Sequence, residues 1–237
     1  MSKTPLWQAI SNALREDMAE GRYRPGDKLP TEAELAERFG VNRHTIRHAI
    51  SVLVEDGLVR TRRGSGAFVK GAPTDYPIGK RVRYHQNLRA AGRAPSKKVL
   101  HVETRPATVK EAERLDMTPG ELITLRHGVS YADHQPIALS ISEFPETRLP
   151  GIGALMRGET SVTKALERAG ITDYTRESTR VRATLANATQ ALHLELREGA
   201  PLIYTTSMSV DQHGQKVEFG RTWFAGDRVT LTLEEDA

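Results

Sequence analysis

TEAELAERFGVNRHTIRHAI, residues 31–50, is the stretch that decides the fold. TEAE has the form of a capping box, in which the Thr31 hydroxyl bonds the amide of Glu34 and Glu34 reaches back. Leu35, Ala36 and Phe39 then give the helix an apolar stripe, and Gly40 ends it. Only GVN separates this helix from the next, for which Asn42 is a natural N-cap. Ile46, Ala49, Ile50 and Leu53 form the buried stripe of that second helix, and Gly57 closes it. Two helices joined by so short a turn make a helix-turn-helix.

Working outward, residues 5–21 read as a preceding helix. Pro5 suits its first turn, Leu6, Ile10, Ala13, Leu14 and Met18 recur at helical spacing, and Gly21 stops it. RYRPGDKLP (22–30) is a turn-rich connector. Downstream, LVRTRRGSGAFV (58–69) alternates β-branched and basic residues around GSG, which predicts a two-stranded hairpin. The order is therefore that of a winged helix-turn-helix over residues 1–70, with the hairpin as the wing. KGAPTDYPIGKR (70–81), rich in proline and glycine, reads as a linker over 71–81.

Residues 82–237 follow a different pattern. Apolar-alternating runs recur at 98–105, 121–131, 136–144, 178–186, 201–210, 215–224 and 228–233, with helical pieces at 83–91, 109–116, 161–169 and 188–195. Strands adjoining across ADHQP and DQHGQ signal hairpins, so the sheet is expected to be mostly antiparallel. The whole chain is predicted to be α+β, in two domains.

The bulk composition narrows the function classes. The chain has 237 residues, 38% hydrophobic and 27% charged, within the usual range of a water-soluble protein. Residues 1–70 hold 12 Lys and Arg against 9 Asp and Glu, and the rest 22 against 21. The positive excess thus sits in the first third and points to an anionic partner there. There is no cysteine, which excludes a disulfide framework, a thiolate metal site and a cysteine nucleophile. The N-terminus lacks the apolar core of a secretory leader and no run is long enough to span a bilayer, so a cytoplasmic protein with no membrane partner is expected.

The third helix raises a choice of chemistries. Arg43 and Arg47 lie four apart, on a face that the apolar stripe does not use, and His44 and His48 share a neighbouring line. Zinc at a histidine pair calls for a third ligand, and the flanking arginines repel a cation, so no metal is expected. Acid–base catalysis lacks a pocket and a nucleophile. A merely solvated face is the usual reading of charge on a helix. Position in the helix-turn-helix overturns it, since the second helix of such a unit enters the major groove, where arginine pairs with guanine. A further basic cluster, Arg60, Arg62 and Arg63, precedes the wing tip. Double-stranded DNA is the expected partner.

The second domain shows no GxSxG, no phosphate-cradling loop and no HExxH, and its histidines (85, 101, 127, 134, 193 and 213) are scattered. Neither an enzyme nor a cofactor is expected. GETSVTKALERAG (158–170) starts a helix with Thr160 and Ser161, a place for a bound anion or only an N-cap.

PGDKLPTE, LAERFGVNRHTIRHAI, DGLV and the wing GSG resemble the DNA-binding domain of the GntR family of bacterial regulators. That resemblance implies that Arg43, His44 and Arg47 read bases and that Thr31 and Thr45 hold phosphates. It further implies that Arg62, Arg63, Gly64 and Gly66 form the wing contact. Ala33 departs from relatives that carry arginine there. QNLRAAGRAPSKKV, ERLDMTPGELITLRHGVSYADHQPIALSISEFP, SVTKALERAGI and VEFGRTWFAGDRVTL resemble the UTRA ligand-sensing domain of the HutC branch, with its chorismate-lyase-like fold. The paired arginines of that branch's sugar-phosphate sensors fall here at Gly128 and Ser130, which argues against copying that site. DYP after the wing and QNL..AG..P after the linker resemble the PhnF group, repressors of phosphonate uptake and breakdown. The implied effector is a small anion such as a phosphonate, a phosphate or a sugar phosphate. Arg83, His85, Arg126, Ser130, Ser161 and Arg221 are the candidate pocket residues. The expectation is a homodimeric repressor on a near-palindromic operator, with His48 unassigned; the alternatives are a HutC-type regulator of a sugar-phosphate, amino-sugar or histidine/urocanate pathway and, behind it, an enzyme fused to a DNA-binding domain.

Overall fold

The structure, a computed structural model, describes residues 5–62, 64–71, 73–80, 88 and 94–233. The chain divides into two compact units, Met1–Ala72 and Pro73–Ala237.

In the first unit, α1 (Leu6–Ala19), α2 (Glu32–Phe39) and α3 (Arg43–Glu55) precede a hairpin of β1 (Val59–Arg62) and β2 (Gly66–Val69). The helix boundaries follow from local chemistry. Thr31 accepts from the Glu34 amide while the Glu34 carboxylate accepts from the Thr31 amide, and Gly40 ends α2 in the left-handed conformation. Asn42 Oδ1 accepts from the Thr45 amide at 2.8 Å and starts α3. Leu14, Leu35, Ile46 and Leu53 are fully buried in one core with Leu29, Val59 and Val69. Each fully buried side chain of this kind contributes roughly 2 kcal/mol relative to exposure. Asp17, buried at the end of α1, accepts from Arg22 at 2.8 Å and Arg38 at 2.6 Å and so ties α1 to α2.

The second unit is built on a sheet of six strands in the order β4–β5–β6–β9–β8–β7, all neighbours antiparallel. The strands are β4 (Pro95–Pro106), β5 (Leu122–Ala132), β6 (Gln135–Pro145), β7 (Tyr174–Leu185), β8 (Pro201–Asp211) and β9 (Lys216–Ala225). Helices α4 (Val109–Leu115) and α7 (Ala188–Leu194) cover one face, packing Ala112, Leu115, Ala191 and Leu194 on Leu125, Val129, Leu139 and Leu202. Helices α5 (Ile152–Gly158) and α6 (Val162–Arg168) cover the other face through Ile152, Met156, Ala165 and Leu166 against Phe144.

Two features depart from the sequence reading. The stretch read as linker contains a strand, β3 (Thr74–Pro77), paired in parallel with β10 (Val229–Thr232). Tyr76 of that strand is buried against Phe224, so these residues belong to the second core. Helix α5 was not anticipated, and the helical piece expected at 83–91 falls almost wholly outside the described residues. Among the described residues no helix is long and apolar enough to cross a membrane.

Candidate nucleic-acid interface and effector pocket

Helix α3 divides its sides as the spacing requires. Ile46, Ala49, Ile50 and Leu53 are buried, while Arg43, His44 and Arg47 are exposed. Arg47 is held by Glu32 of α2, its Nε donating to Oε1 at 3.0 Å and its Nη2 to Oε2 at 2.7 Å. These bonds keep the Glu32 carboxyl below the usual carboxylate range. His48 packs its ring edge-on against Trp7 of α1, with centroids 4.7 Å apart. That contact gives the unassigned histidine a place in the joint between α1 and α3.

Both candidate phosphate-holding threonines already use their hydroxyl protons. Thr31 Oγ1 donates to Glu34 at 2.8 Å, and Thr45 Oγ1 to Asn42 at 3.0 Å. In the wing, Gly64 and Gly66 both have positive φ. A Cβ at Gly66 would meet Lys28 Cε at 2.8 Å, so the Lys28 side chain lies against β2 beside the wing turn. The Arg60 guanidinium sits 5.3 Å over the Phe68 ring. Arg60 is thereby bound to the hairpin itself. Arg63 and the side chain of Arg62 lie outside the described residues. A groove of about 260 Å³ runs between α2, α3 and the wing, lined by Thr31, Glu32, Ile50, Thr61, Gly64 and Gly66.

The effector candidates do not form one constellation. Strand pairing places Arg126 beside Ser142, which pairs with Gly220, and His127 beside Ile141, which pairs with Arg221. Alternate residues of a strand point to opposite faces. Arg126 and Ser130 therefore share the α5–α6 face, and Arg221 lies on the α4–α7 face. There Arg221 donates to Glu143 at 2.7 Å, and Arg114 of α4 donates to the same fully buried carboxylate at 2.8 Å. Arg221 thus helps to hold α4 on the sheet.

On the opposite face Arg126 is 2% exposed and donates Nη2 to the Thr160 carbonyl at 2.8 Å. Its Nε is buried without a hydrogen-bond partner among the described residues. Burial pushes the Arg126 pKa down, which Glu218 and Glu159 oppose. Lys97 pairs in register with Ser130, and burial together with Arg126 lowers its ammonium to about 8. Glu218 accepts from Ser142 at 2.8 Å on this same face. Beside it lies a cavity of about 120 Å³ lined by Tyr76, Thr163, Tyr174, Arg176, Ser209 and Glu218, among others. Ser161 is the N-cap of α6, and its amide donates to Glu159 at 3.0 Å. The Ser161 amide is therefore already engaged by the Glu159 carboxylate. Arg83 and His85 lie outside the described residues.

Sequence reasoning missed Glu32 and Lys28 on the first unit, and Lys97 and Glu218 on the second. Glu32 joins Arg47 across two helices, a pairing that no spacing within one helix reveals. Lys97 and Glu218 reach Arg126 only through strand register.

Residues 6–69 match the family described as bacterial regulatory proteins, gntR family, and residues 90–230 match the UTRA domain. An uncharacterised HTH-type transcriptional regulator of Rhizobium meliloti is 36% identical, covering 97% of this chain and 94% of that protein. The probable transcriptional regulator PhnF of Escherichia coli is 34% identical, covering 96% and 94%. The crystal structure of PhnF from Mycobacterium smegmatis superposes with a TM-score of 0.66 at 26% identity, covering 96% of this chain and 99% of that one.

Proposed function

Since this chain belongs to the gntR family of bacterial regulatory proteins and carries a UTRA domain behind its helix-turn-helix, and so is a transcriptional regulator rather than an enzyme, we propose that it is a homodimeric repressor of phosphonate uptake or breakdown genes, released from its operator by a small anionic effector. The observation that carries the DNA half is the exposed trio Arg43, His44 and Arg47 on a helix whose other side is locked in the core. Arginine forks pair with guanine O6 and N7 in the major groove. Gly64 and Gly66 let the wing backbone approach the duplex, with Arg62, Arg63 and Lys28 supplying charge. The likeness to PhnF across nearly the whole chain supports the phosphonate assignment.

In the second unit the effector site is built on Arg126, Ser130 and Lys97, with Glu218 at its edge. A buried guanidinium whose Nε has no hydrogen-bond partner among the described residues favours an oxyanion. The effector changes DNA affinity only as far as it binds the DNA-competent and incompetent dimers unequally.

The test uses the full chain and a duplex that it selects from a random pool. Arg43→Ala and Arg47→Ala are each expected to weaken binding by about 1–3 kcal/mol and to relax base preference nearby. Unchanged titrations for both variants remove the recognition-helix assignment. Adding methylphosphonate or phosphate is expected to release the duplex. Release by sugar phosphates or urocanate alone replaces the phosphonate reading with another HutC-type pathway.

A further inference from the structure

We propose that Glu32 is a positioning residue for base recognition: it grips one edge of Arg47 so that the guanidinium is presented end-on, and its carboxylate weakens binding to DNA of the wrong sequence. The inference rests on the reading of α3 as the recognition helix.

Arg47 offers Nε and Nη2 to the two oxygens of Glu32, a two-bonded fork. The arginine side chain is 69% exposed, so packing does not hold it. Glu32 is better anchored, standing at the first position of α2, where the Thr31–Glu34 capping box fixes the helix start and Leu35 is fully buried. Among the described residues, the fork leaves Nη1 and the outer proton of Nη2 free, which is the pair of donors that guanine O6 and N7 accept. An arginine fixed before binding loses less side-chain freedom on meeting its base.

The bland account is an ordinary surface ion pair. Such pairs add little to stability. This one occupies a residue of the DNA-facing trio, and the Arg43 charge also acts on Glu32. A carboxylate here repels phosphates. Every duplex pays that repulsion, but only a duplex with guanine in place recovers it through the aligned arginine, and that difference is specificity.

The test compares two duplexes bound by the full chain across a salt series: one selected from a random pool, the other a scramble of it. For Glu32→Gln the selected duplex is expected to bind about tenfold weaker, with guanine preference relaxed. The scrambled duplex is expected to bind a few-fold tighter, and its salt slope to steepen by about one counterion as the released Arg47 finds a phosphate. Glu32→Asp keeps the charge but is too short for both bonds. It is expected to lose the guanine preference with no gain on the scramble. A purely structural role moves both duplexes the same way, and equal weakening in Glu32→Gln overturns the proposal. Arg47→Ala separates the two readings. If Arg43→Ala and Arg47→Ala both leave the guanine preference intact, the recognition-helix reading itself falls. If Arg47→Ala removes that preference while both Glu32 variants keep it, only the role of Glu32 falls.

Discussion

At the scale of single residues, the side of α3 that faces the core and the side that faces outward were both legible in RHTIRHAI, because helical spacing sorts side chains by direction. What His48 touches was not legible, since Trp7 approaches from another helix. Carboxylates show the same limit and give a pH prediction. Glu111 of α4 accepts from Arg105 at 2.7 and 2.8 Å and from the Thr108 amide at 2.9 Å, which lowers its pKa from 4.5 to about 2. A lowered folded pKa means that the stabilisation is fully present above pH 4.5 and is lost as pH falls from there towards 2. Urea unfolding should therefore find Glu111→Gln less stable than the parent by something of the order of 3 kcal/mol at neutral pH. The two curves should converge as the pH approaches 2. A gap that does not change with pH would show that Glu111 acts through shape alone.

At the scale of elements, all six strands of the large sheet were visible as apolar alternation, because each runs for ten residues or more. The two elements that escaped are short and owe their form to partners far along the chain. TDYP becomes β3 only beside residues 229–232, and its parallel pairing leaves no hairpin turn to read. IGALMRG becomes α5 because Gly153 lets the helix backbone settle on the sheet, where a Cβ would stand 2.6 Å from Thr104 Oγ1 and 3.0 Å from Thr124 Oγ1. Proline and glycine in KGAPTDYPIGKR suggested a linker throughout, yet Tyr76 is 8% exposed and tilts against Phe224 at a centroid distance of 5.1 Å. Removing that ring should cost about 3 kcal/mol, as for other buried aromatic side chains. Hydrogen exchange of Tyr76→Ala should show lost protection at both 74–77 and 229–232, with α1–α3 unchanged. If 74–77 exchange freely in the parent chain, the pairing of β3 with β10 is not a stable part of the fold.

At the scale of the whole molecule, the two units have separate cores, one drawn from residues 10–69 and the others from residues 76–229. The change from helical spacing in the first third to apolar alternation beyond it suggested two domains. It did not reveal which residues of the second unit face a common site, because a strand shift of one residue exchanges the two faces of a sheet. Arg126 and Arg221 both looked like anion ligands in sequence, and register sends them to opposite sides. Their functional consequences should differ accordingly. Arg126→Gln removes a buried charge from the proposed effector site. The concentration of methylphosphonate or phosphate that releases half of the selected duplex is then expected to rise at least ~10-fold, within the range of ordinary allosteric couplings. Arg221→Gln instead leaves Arg114 alone with the buried Glu143 carboxylate. That change should lower the melting temperature of the second unit while the half-releasing concentration stays within about twofold, because stability and coupling are separate free energies. The reverse pattern, with Arg221→Gln insensitive to ligand and Arg126→Gln unaltered, would move the effector site to the α4–α7 face and make Glu143 its counter-charge.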